Sequence, residues 1–377
     1  MNKIVKAYKI RIYPTKDQID LIEKTFGCCR FVYNYFLAKS IKDYEETGKS
    51  NTYNQNSAFL TQMKKLDEYS FLKEVEVMAL QASLRDLDTA YQNFFRNVRQ
   101  GKKPGYPKFK KKSASHQSYK ATYSTPAQFH VYENKLFLPK LKWVKFKGNL
   151  DVKGVPLSAT ISRTASGKYF ASICCKEVEI EEFPKTGSVI GIDLGIKDFA
   201  ITSNSDKVAN PKFLVKSTKK LRRLQRQLSR KQKRSNNRNK ARIRLARQFE
   251  KVSNQRNDFL QKLSTQLVKN HDIICIEDLQ VKNMVKNHKL SRSIFDASWS
   301  KFVELLTYKC LWYGKELVKI DKFFPSSQIC SCCSYKNLEV KNLEVRKWTC
   351  PYCKTQHDRD VNAAKNILNE GMKIAFA

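Results

Sequence analysis

The sequence lacks an apolar run long enough to cross a membrane as a helix, although 41% of its 377 residues are hydrophobic. Its opening residues, MNKIVKAYKIRIYP, alternate polar and apolar side chains and contain no apolar block of the kind found in a signal peptide. A role at a membrane surface would need a basic amphipathic anchor or a lipidation signal. We therefore expect a cytoplasmic protein with no membrane partner.

Acidic residues are scarce in this chain. The 35 Asp and Glu residues stand against 72 Lys and Arg residues, so the formal net charge is +37. This charge is too large for a surface that only keeps the protein in solution, and its self-repulsion favours a polyanionic partner. The 22 Phe and 17 Tyr residues are enough to fill real cores. We therefore predict a folded protein of two or three domains that binds nucleic acid.

A disulfide framework is not expected, because the chain is long and carries no secretion signal. Six of the eleven cysteines lie in apolar or periodic segments, where cysteine usually serves as a small buried hydrophobic residue. These six are Cys28, Cys29, Cys174, Cys175, Cys275 and Cys310.

Four other cysteines have the spacing of metal ligands. Two C-x-x-C pairs with sixteen residues between them match a zinc ribbon, in which four thiolates hold Zn²⁺ tetrahedrally and fold a segment with almost no core of its own. The predicted ligands are Cys330, Cys333, Cys350 and Cys353. Cys332 is a spare thiol or an exchange partner for a neighbouring ligand. His357 is the rival fourth ligand, and we expect it outside the shell that the four cysteines already close.

The first half of the chain predicts a small β-barrel interrupted by helices. Residues 5–13 alternate as a strand with a basic outer side. Apolar residues then recur every three or four positions over residues 15–100, which predicts a helical subdomain whose Tyr and Phe stripe packs in a core. Alternating residues within 118–180 predict β-hairpins around Glu133-Asn134 and Ser166-Gly167.

The second half predicts an α/β sheet layered with helices. Residues 188–203 read as two strands, and residues 217–268 as a helical hairpin with an apolar seam and a turn at Ser235-Asn236-Asn237. A buried strand follows at 271–279 and an amphipathic helix at 299–317. A further strand, LVKID, precedes the cysteine pairs and a final helix.

Two basic segments are candidates for nucleic-acid binding. The loop at 99–112, RQGKKPGYPKFKKK, interleaves lysines with aromatic residues that could stack on bases, although a solvated basic linker would have the same composition. The helical hairpin carries sixteen basic residues and one acidic residue between Lys219 and Arg256, too many for an ordinary solvated face. The candidate contact residues are Lys102, Lys103, Tyr106, Lys108, Arg222, Arg226, Arg230 and Arg238.

Three acids far apart in the sequence each stand where a strand ends or a helix begins: Asp193, Glu277 and Asp360. Phosphodiester hydrolysis with two divalent cations needs carboxylates that converge on one spot, and magnesium prefers such oxygens. An aspartate after a buried strand is also a common turn or cap residue, and periodicity cannot show convergence. Three neighbouring acids compete for these roles, with a turn, a strand end and an ion pair to Arg359 as their structural alternatives: Asp198, Asp278 and Asp358.

These motifs resemble the transposon-encoded TnpB (OrfB) family of RNA-guided DNA nucleases, which is related to the type V CRISPR effectors. The segment KAYKIRIYPTKDQIDLIEKTFGCCRFVYNYFL is similar to the family's opening strand and helix-turn-helix-like region, and GKKPGYPKFKKK to its basic loop. GIDLGIKDFA, IEDL, SSQICSCCS, CPYC and HDRDVNAAKNI match its RuvC-like nuclease core and inserted zinc ribbon in order. The resemblance covers nearly the whole chain.

The resemblance implies an RNase H-like nuclease domain whose three acids hold magnesium. The aspartate of GIDLG falls on Asp193, the glutamate of IEDL on Glu277, and the aspartate before x-Asn-Ala-Ala on Asp360. Asp193 would bridge two Mg²⁺ ions, and the other two acids would each complete one ion's shell. The implied partners are a guide RNA made from the transposon end and a target double-stranded DNA, whose short flanking motif the protein reads while base pairing reads the rest.

We therefore expect an α+β multidomain fold, in which a β-barrel with a helical insert is joined to an RNase H-like (RuvC) α/β nuclease domain interrupted by a zinc ribbon. The predicted domains are a wedge-like β-barrel (1–14 and 113–186), a helical recognition subdomain with the basic loop (15–112), the nuclease domain (187–325 and 355–370), the zinc ribbon (326–354) and a tail (371–377). The basic hairpin, 217–268, belongs to the nuclease domain and would line the channel for the heteroduplex.

Other functions fit parts of the same sequence. An RNA-guided DNA-binding regulator would use the same guide and target without cutting, but the retained acids favour cleavage. A transposase that joins DNA strands would need no guide RNA. A plain zinc-ribbon RNA-binding protein would not need the acids.

Overall fold

The computed structural model describes residues 2–113, 116–123, 129–342 and 344–376. The two ends of the predicted domain map, residues 1 and 377, lie outside the described residues, as do 114, 115 and 124–128 of the predicted barrel and 343 of the predicted ribbon. The chain divides into two compact units, Lys3–Glu179 and Ile180–Ala377 together with Met1–Asn2.

The first unit combines three long helices with an antiparallel-rich sheet. Its elements are β1 (Asn2–Tyr13), α1 (Lys16–Thr47), α2 (Tyr53–Met63), a 3-10 helix (Asp67–Lys73), α3 (Val77–Arg99), β2 (Gln117–Thr122), β3 (Val131–Tyr132), β4 (Lys135–Leu138), β5 (Lys142–Phe146), β6 (Val155–Arg163) and β7 (Tyr169–Ile180). Seven strands form one sheet in the order β2-β6-β7-β1-β5-β4-β3. Both predicted hairpins are present, as β3–β4 and β6–β7. Within the described residues β2 and β3 are the outer strands and do not pair, so closure into a barrel stays a prediction.

The predicted helical insert lies between β1 and β2. Thr15 begins α1 with a capping box, in which its hydroxyl accepts from the backbone N–H of Gln18 and the Gln18 side chain accepts from the N–H of Thr15. The apolar and aromatic stripe of α3 was expected to pack in a core. Leu80, Leu84 and Leu87 are buried as predicted, whereas Val77 and Val98, at the two ends of the stripe, are 45% and 50% exposed, so the prediction is wrong for these two residues.

The second unit has a mixed five-stranded sheet and a small two-stranded sheet. Its elements are β8 (Val189–Leu194), β9 (Asp198–Thr202), β10 (Lys207–Ala209), α4 (Phe213–Ser229), α5 (Asn236–Asn270), β11 (Ile273–Glu277), α6 (Val281–Met284), α7 (Ser291–Ala297), α8 (Trp299–Tyr313), β12 (Glu316–Ile320), a 3-10 helix (Leu338–Lys341), β13 (Lys347–Thr349), β14 (Gln356–Asp358) and α9 (Arg359–Ala375). The five strands run in the order β10-β9-β8-β11-β12, with β8, β11 and β12 parallel and β9 and β10 antiparallel to their neighbours.

Helices cover both faces of the five-stranded sheet, as the strand and helix pattern predicts. One face packs its isoleucines against apolar residues of α5 and α8, including Leu260, Phe302 and Leu306. On the other face α9 approaches very closely. A Cβ atom at Gly191 of β8 would lie 2.7 Å from Leu368 Cβ, and one at Gly371 of α9 would lie 2.7 Å from Cys275 Cβ. These two glycines therefore allow the backbone of α9 to rest on β8 and β11.

The basic helical hairpin is formed by α4 and α5. Its turn was expected at Ser235-Asn236-Asn237, but the chain turns at 230–235 and α5 already begins at Asn236. The reason is that Ser235 is the N-cap of α5, with its hydroxyl accepting from the backbone N–H of Arg238 at 3.1 Å. Among the helices in the described part of the chain, none is both long and apolar enough to cross a membrane.

Five of the six cysteines predicted to be buried hydrophobic residues are buried, and Cys174 is half-buried. The buried five are Cys28, Cys29, Cys175, Cys275 and Cys310. Burial raises the pKa of the Cys275 thiol to about 11 and that of the Cys310 thiol to about 12, so these side chains stay protonated and unreactive.

Candidate functional site

The sheet register places Asp193 and Glu277 side by side. Strands β8 and β11 are parallel neighbours in which Ile192 pairs with Ile276, and Asp193 and Glu277 are the next residues of the two strands. Side chains alternate along a strand, so Asp193 shares the face of Gly191 and Glu277 shares the face of Cys275. That is the face covered by α9, which carries Asp360 in its first turn.

Asp193 is half-buried and lies near the charges of the other two acids. Burial is the main reason that the pKa of Asp193 rises from 3.8 to about 7, and the negative charges of Glu277 and Asp360 raise it further. The positive charge of Arg359 and the backbone N–H of Leu194 oppose this rise without cancelling it. Burial also raises the pKa of Glu277. At neutral pH the Asp193 carboxyl is therefore partly protonated when no cation is bound.

Glu277 and Asp360, the two outer acids beside Asp193, each contact a polar side chain. The Ser326 hydroxyl donates to Glu277 Oε1 at 2.6 Å. Arg346 Nη1 lies 3.4 Å from Asp360 Oδ2 as a long ion pair. The sequence did not predict either partner. A serine before the first cysteine pair and an arginine between the two pairs do not indicate which acid they will contact in the folded protein.

Asp358, the neighbour of Asp360, has a structural role. Its carboxylate caps α9 by accepting the backbone N–H groups of Asp360 and Val361 at 3.1 and 3.2 Å. It also forms an ion pair with Lys207 Nζ at 2.6 Å. The alternative ion pair with Arg359 is therefore wrong, since Arg359 is buried and its Nη1 donates to the Asn342 carbonyl at 3.3 Å.

The two other competing acids also lie at strand ends. Asp198 opens β9, and Asp278 follows directly after β11, where its backbone N–H donates to the Ile320 carbonyl at 3.2 Å. Asp278 is exposed, which distinguishes it from the half-buried Glu277 beside it.

The four predicted zinc ligands come together. Cys330 Sγ lies 3.6 Å from Cys353 Sγ, and Cys333 Sγ lies 3.6 Å from Cys350 Sγ. All four sulfur atoms lie within 4.8 Å of one another, which is the spacing that tetrahedral Zn–S bonds of about 2.3 Å would give. Hydrogen bonds from the hydroxyl and the backbone of Thr355 lower the pKa of Cys353 to about 6, so this thiol ionises readily.

His357 lies against the cysteine cluster. Its Nε2 atom is 3.1 Å from Cys330 Sγ, and its ring packs on Trp348 with centroids 4.7 Å apart. Cys330, Cys332 and His357 also form a second set of possible ligand atoms within 4.8 Å of one another. Cys332 is exposed, whereas His357 is buried. The exclusion of His357 from the metal shell stays a prediction.

The basic loop in the first unit presents its predicted contact residues to solvent. Lys102, Lys103 and Lys108 are exposed. Tyr106 is 46% exposed, and its other side packs edge-on against Phe94 of α3, with centroids 5.3 Å apart. The loop is thus anchored by its aromatic residue and exposes its lysines to solvent, with Lys102 Nζ donating to Gln100 Oε1 at 2.8 Å.

The predicted arginines of the hairpin separate into two groups. Arg222, Arg226 and Arg230 are spaced four residues apart on α4 and its end, and all three are exposed. Arg238 is half-buried, and its Nη1 atom donates to the carbonyls of Leu228 at 2.9 Å and of Lys231 at 3.0 Å. Arg238 therefore closes the turn of the hairpin, a role that a count of positive charges cannot reveal.

The protein therefore has two candidate metal sites. One is a set of carboxylates on the mixed sheet, and the other is a four-cysteine cluster before the last helix. Residues 172–288 match the family profile described as "Probable transposase", residues 299–367 match "Cas12f1-like, TNB domain" and residues 1–49 match "Helix-turn-helix domain". A Streptomyces pristinaespiralis protein named "Putative RNA-guided DNA endonuclease" is 40% identical over 375 residues, covering 99% of this chain and 90% of that protein.

Further relatives extend the match. The Escherichia coli K12 protein named "Putative RNA-guided DNA endonuclease InsQ" is 33% identical over 387 residues, covering 99% of this chain and 94% of that protein. The "TnpB-like protein L79" of Acanthamoeba polyphaga mimivirus is 25% identical and covers 98% of this chain and 74% of that protein. The chain belongs to the TnpB (OrfB) family, which confirms the predicted resemblance.

Solved structures share the fold at low sequence identity. A Cas12f1 protein from a complex with sgRNA and target DNA aligns with a TM-score of 0.59 at 14% identity, covering 98% of this chain and 99% of that chain. The mini-RNA-guided endonuclease Cas_phi3 aligns with a TM-score of 0.52 at 10% identity, covering 98% and 92%. The mixed α and β architecture is therefore that of these small effectors.

Proposed function

We propose that this protein is an RNA-guided DNA endonuclease encoded by a transposon, which cleaves target DNA next to a short flanking motif. The observation that carries the proposal is the convergence of Asp193, Glu277 and Asp360 on the α9 face of the sheet, with the pKa of Asp193 raised by burial and by the other two acids. The names of the two full-length relatives quoted above support the guided nuclease.

The three acids fit a magnesium site by their donor chemistry. They offer only carboxylate oxygens, the ligands that Mg²⁺ prefers, and no sulfur. In the proposed site two cations would share Asp193, and Glu277 and Asp360 would each complete the shell of one ion. When bound, the magnesium ions would activate the attacking water and stabilise the leaving oxygen.

The surrounding residues set up this site before any cation arrives. Asp193 is the central ligand, because it lies in β8 next to Glu277 and beneath the start of α9. The Ser326 hydroxyl holds one oxygen of Glu277 by a hydrogen bond. The N-terminus of α9 places its partial positive charge beside Asp360. Arg346, which is 53% exposed, can leave Asp360 and meet a phosphate instead.

The four-cysteine cluster fits Zn²⁺ by the same criterion of donor chemistry. Four thiolates form the soft set that selects zinc, and the cluster is the centre of a small core with Val340 and Trp348. We assign residues 326–354 to a structural zinc ribbon, and residues 187–325 and 355–370 to the RuvC-like nuclease domain. The sheet order β10-β9-β8-β11-β12 supports the RNase H-like fold that the family implies.

The guide RNA from the transposon end and the target double-stranded DNA are the proposed partners of the basic surfaces. The exposed arginines of α4 and the lysines of the basic loop provide sequence-independent phosphate contacts. Base pairing would then supply the sequence specificity.

The test incubates the protein, its co-purified and sequenced guide RNA and a matched DNA duplex with Mg²⁺. We expect guide-dependent cuts by the wild type and bound but intact DNA with Asp193→Ala. Binding without cuts by the wild type would instead make the protein a guided regulator. Strand-transfer products formed without a guide would make it a transposase, and the absence of discrete bound RNA would reject guidance altogether.

A further inference from the structure

Two asparagines of α9 are buried, although neither belongs to the carboxylates or the cysteine cluster. Asn362 is 1% exposed and Asn366 is 4% exposed, and a buried amide is costly unless it is hydrogen-bonded. Both Nδ2 atoms donate to the Ile329 carbonyl at 2.6 Å. Asn366 Nδ2 also donates to the Ser326 carbonyl at 2.7 Å, and Asn362 Oδ1 accepts from the Ser331 backbone N–H at 2.9 Å. We call Asn362 and Asn366 the asparagine clamp.

The backbone held by the asparagine clamp reaches both candidate metal sites. At its start, the buried Ser326 donates its hydroxyl hydrogen to Glu277 Oε1 at 2.6 Å. At its end, the cluster residue Cys330 lies between Ile329 and Ser331, whose carbonyl and amide are both held. A short stretch of chain, held by several hydrogen bonds, therefore connects a cysteine ligand with an acid.

The same helix that carries the asparagine clamp also carries Asp360. The clamp residues follow Asp360 by two and six positions. They are four positions apart, so the two asparagines lie on one face of α9. Fixing the clamped backbone on α9 therefore fixes Ser326 relative to Asp360. Ser326 in turn fixes the carboxylate of Glu277. The hydrogen bonds of Ser326 and the asparagine clamp therefore set the distance between Glu277 and Asp360, although these two acids form no hydrogen bond with each other in the described structure.

We propose that Ser326, Asn362 and Asn366 are positioning residues of the carboxylate site, and that metal occupancy of the four-cysteine cluster is thereby coupled to the cation affinity of that site. The inference rests on the carboxylate metal site of the proposed function. Losing an outer partner of a metal ligand typically weakens metal binding about 10–100-fold. The coupling is reciprocal, so a cation on the acids also strengthens metal binding by the cysteines.

Manganese binding tests the inference without relying on cleavage. The full-length, zinc-loaded protein is titrated with Mn²⁺ in the absence of nucleic acid, and free Mn²⁺ is measured by electron paramagnetic resonance. We expect Ser326→Ala and Asn366→Ala each to weaken Mn²⁺ binding about tenfold or more. The matched controls, Ser327→Ala and the exposed helix residue Asn369→Ala, should bind Mn²⁺ like the wild type. Melting temperatures and zinc content separate positioning from loss of fold.

Removal of zinc tests the coupling. Releasing zinc from the wild type should weaken Mn²⁺ binding by a factor similar to that of Ser326→Ala, and releasing it from the Ser326→Ala variant should add little. Unchanged Mn²⁺ affinity in Ser326→Ala, or a lowered melting temperature with unchanged affinity in Asn366→Ala, would overturn the inference.

The outcome for the inference is separable from that for the nuclease. A protein that cuts no DNA but loses Mn²⁺ affinity in Ser326→Ala supports the positioning role and counts against cleavage. A nuclease whose Mn²⁺ affinity is indifferent to Ser326 keeps its proposed function and overturns the positioning role. If no Mn²⁺ site depends on Asp193, the carboxylate metal site fails, and the inference fails with it.

Discussion

Replacing Asp193 by asparagine should stabilise the magnesium-free protein while abolishing cleavage. Burial and two neighbouring acids raise the pKa of Asp193 from 3.8 to about 7. At 1.36 kcal/mol per pKa unit, ionising this group in the folded protein costs about 4 kcal/mol. Because Asp193 is half-buried and water reaches it, we expect an effect of about 2–4 kcal/mol. Asparagine keeps an oxygen for the Leu194 backbone N–H but cannot ionise.

The sign of the pH dependence follows from the raised pKa. Between about pH 4 and pH 7 the folded state binds more protons at Asp193 than the unfolded state, so the stability of the wild type falls as the pH rises. The Asp193→Asn variant escapes this loss. Its gain should therefore be full at about pH 8 and nearly absent at about pH 4. For a unit of this size, the melting temperature should rise by about 5–15 °C at the higher pH.

The measurement is thermal unfolding in magnesium-free buffer that leaves zinc bound. Asp198→Asn serves as the control for loss of one negative charge at the same sheet edge. Added Mg²⁺ should raise the melting temperature of the wild type and leave that of Asp193→Asn unchanged, because only the wild type offers the central carboxylate. A variant that melts below the wild type at about pH 8, or gains equally at both pH values, would refute the electrostatic account of this site.

Three further predictions concern single side chains. Asp360→Ala should abolish cleavage, whereas Asp358→Ala should only reduce it. Loss of the helix cap in Asp358→Ala should also lower the free energy of unfolding by about 1 kcal/mol, measured by chemical unfolding. Equal loss of cleavage in the two variants would contradict the assignment of Asp360 as the catalytic residue and Asp358 as the cap. Arg226→Ala should weaken RNA binding and lower the salt dependence of that binding. Arg238→Ala should instead lower the melting temperature, because it removes two hydrogen bonds to backbone carbonyls. The opposite pattern would contradict the assignment of Arg226 to RNA binding and Arg238 to the hairpin turn. Burial lowers the pKa of Lys309 to about 8, so wild-type stability should rise between about pH 8 and pH 10. This rise should vanish in Lys309→Met, and an unchanged slope in melting temperature would reject it.

The sequence pattern predicted where the acids lie but not how they meet. The apolar runs of β8 and β11 locate Asp193 and Glu277 at strand ends, because periodicity is a local property. Their adjacency depends on the parallel pairing of two strands about eighty residues apart, and strand register is a tertiary property. Gly191 is equally uninformative alone, since its role is the close approach of a helix from the far end of the chain.

Predictions based on charge and polarity were less reliable than those based on ligand spacing. The four cysteines meet as predicted, because two C-x-x-C pairs constrain the chain locally. Arg238 has the same charge as Arg226 but caps a turn, since a guanidinium group also donates well to free carbonyls. Asn362 and Asn366 are polar residues, which are usually expected on the solvent side of a helix. Both are instead buried against non-helical backbone at residues 326–331, and this contact depends on the tertiary fold.

The junction between β14 and α9 explains how one short segment can serve two centres. Successive side chains leave a strand-to-helix junction in different directions, so His357 reaches Cys330 while Asp358 turns back to cap the helix. Asp360, two residues further along, lies close enough to Asp193 for its charge to raise the pKa of that acid. The thiolates are soft ligands and the carboxylates are hard ones, so the two sets can share this backbone without exchanging metals. A disturbance of the cysteines should therefore reach the acids through the start of α9, even though no cysteine of the cluster touches an acid in the described structure.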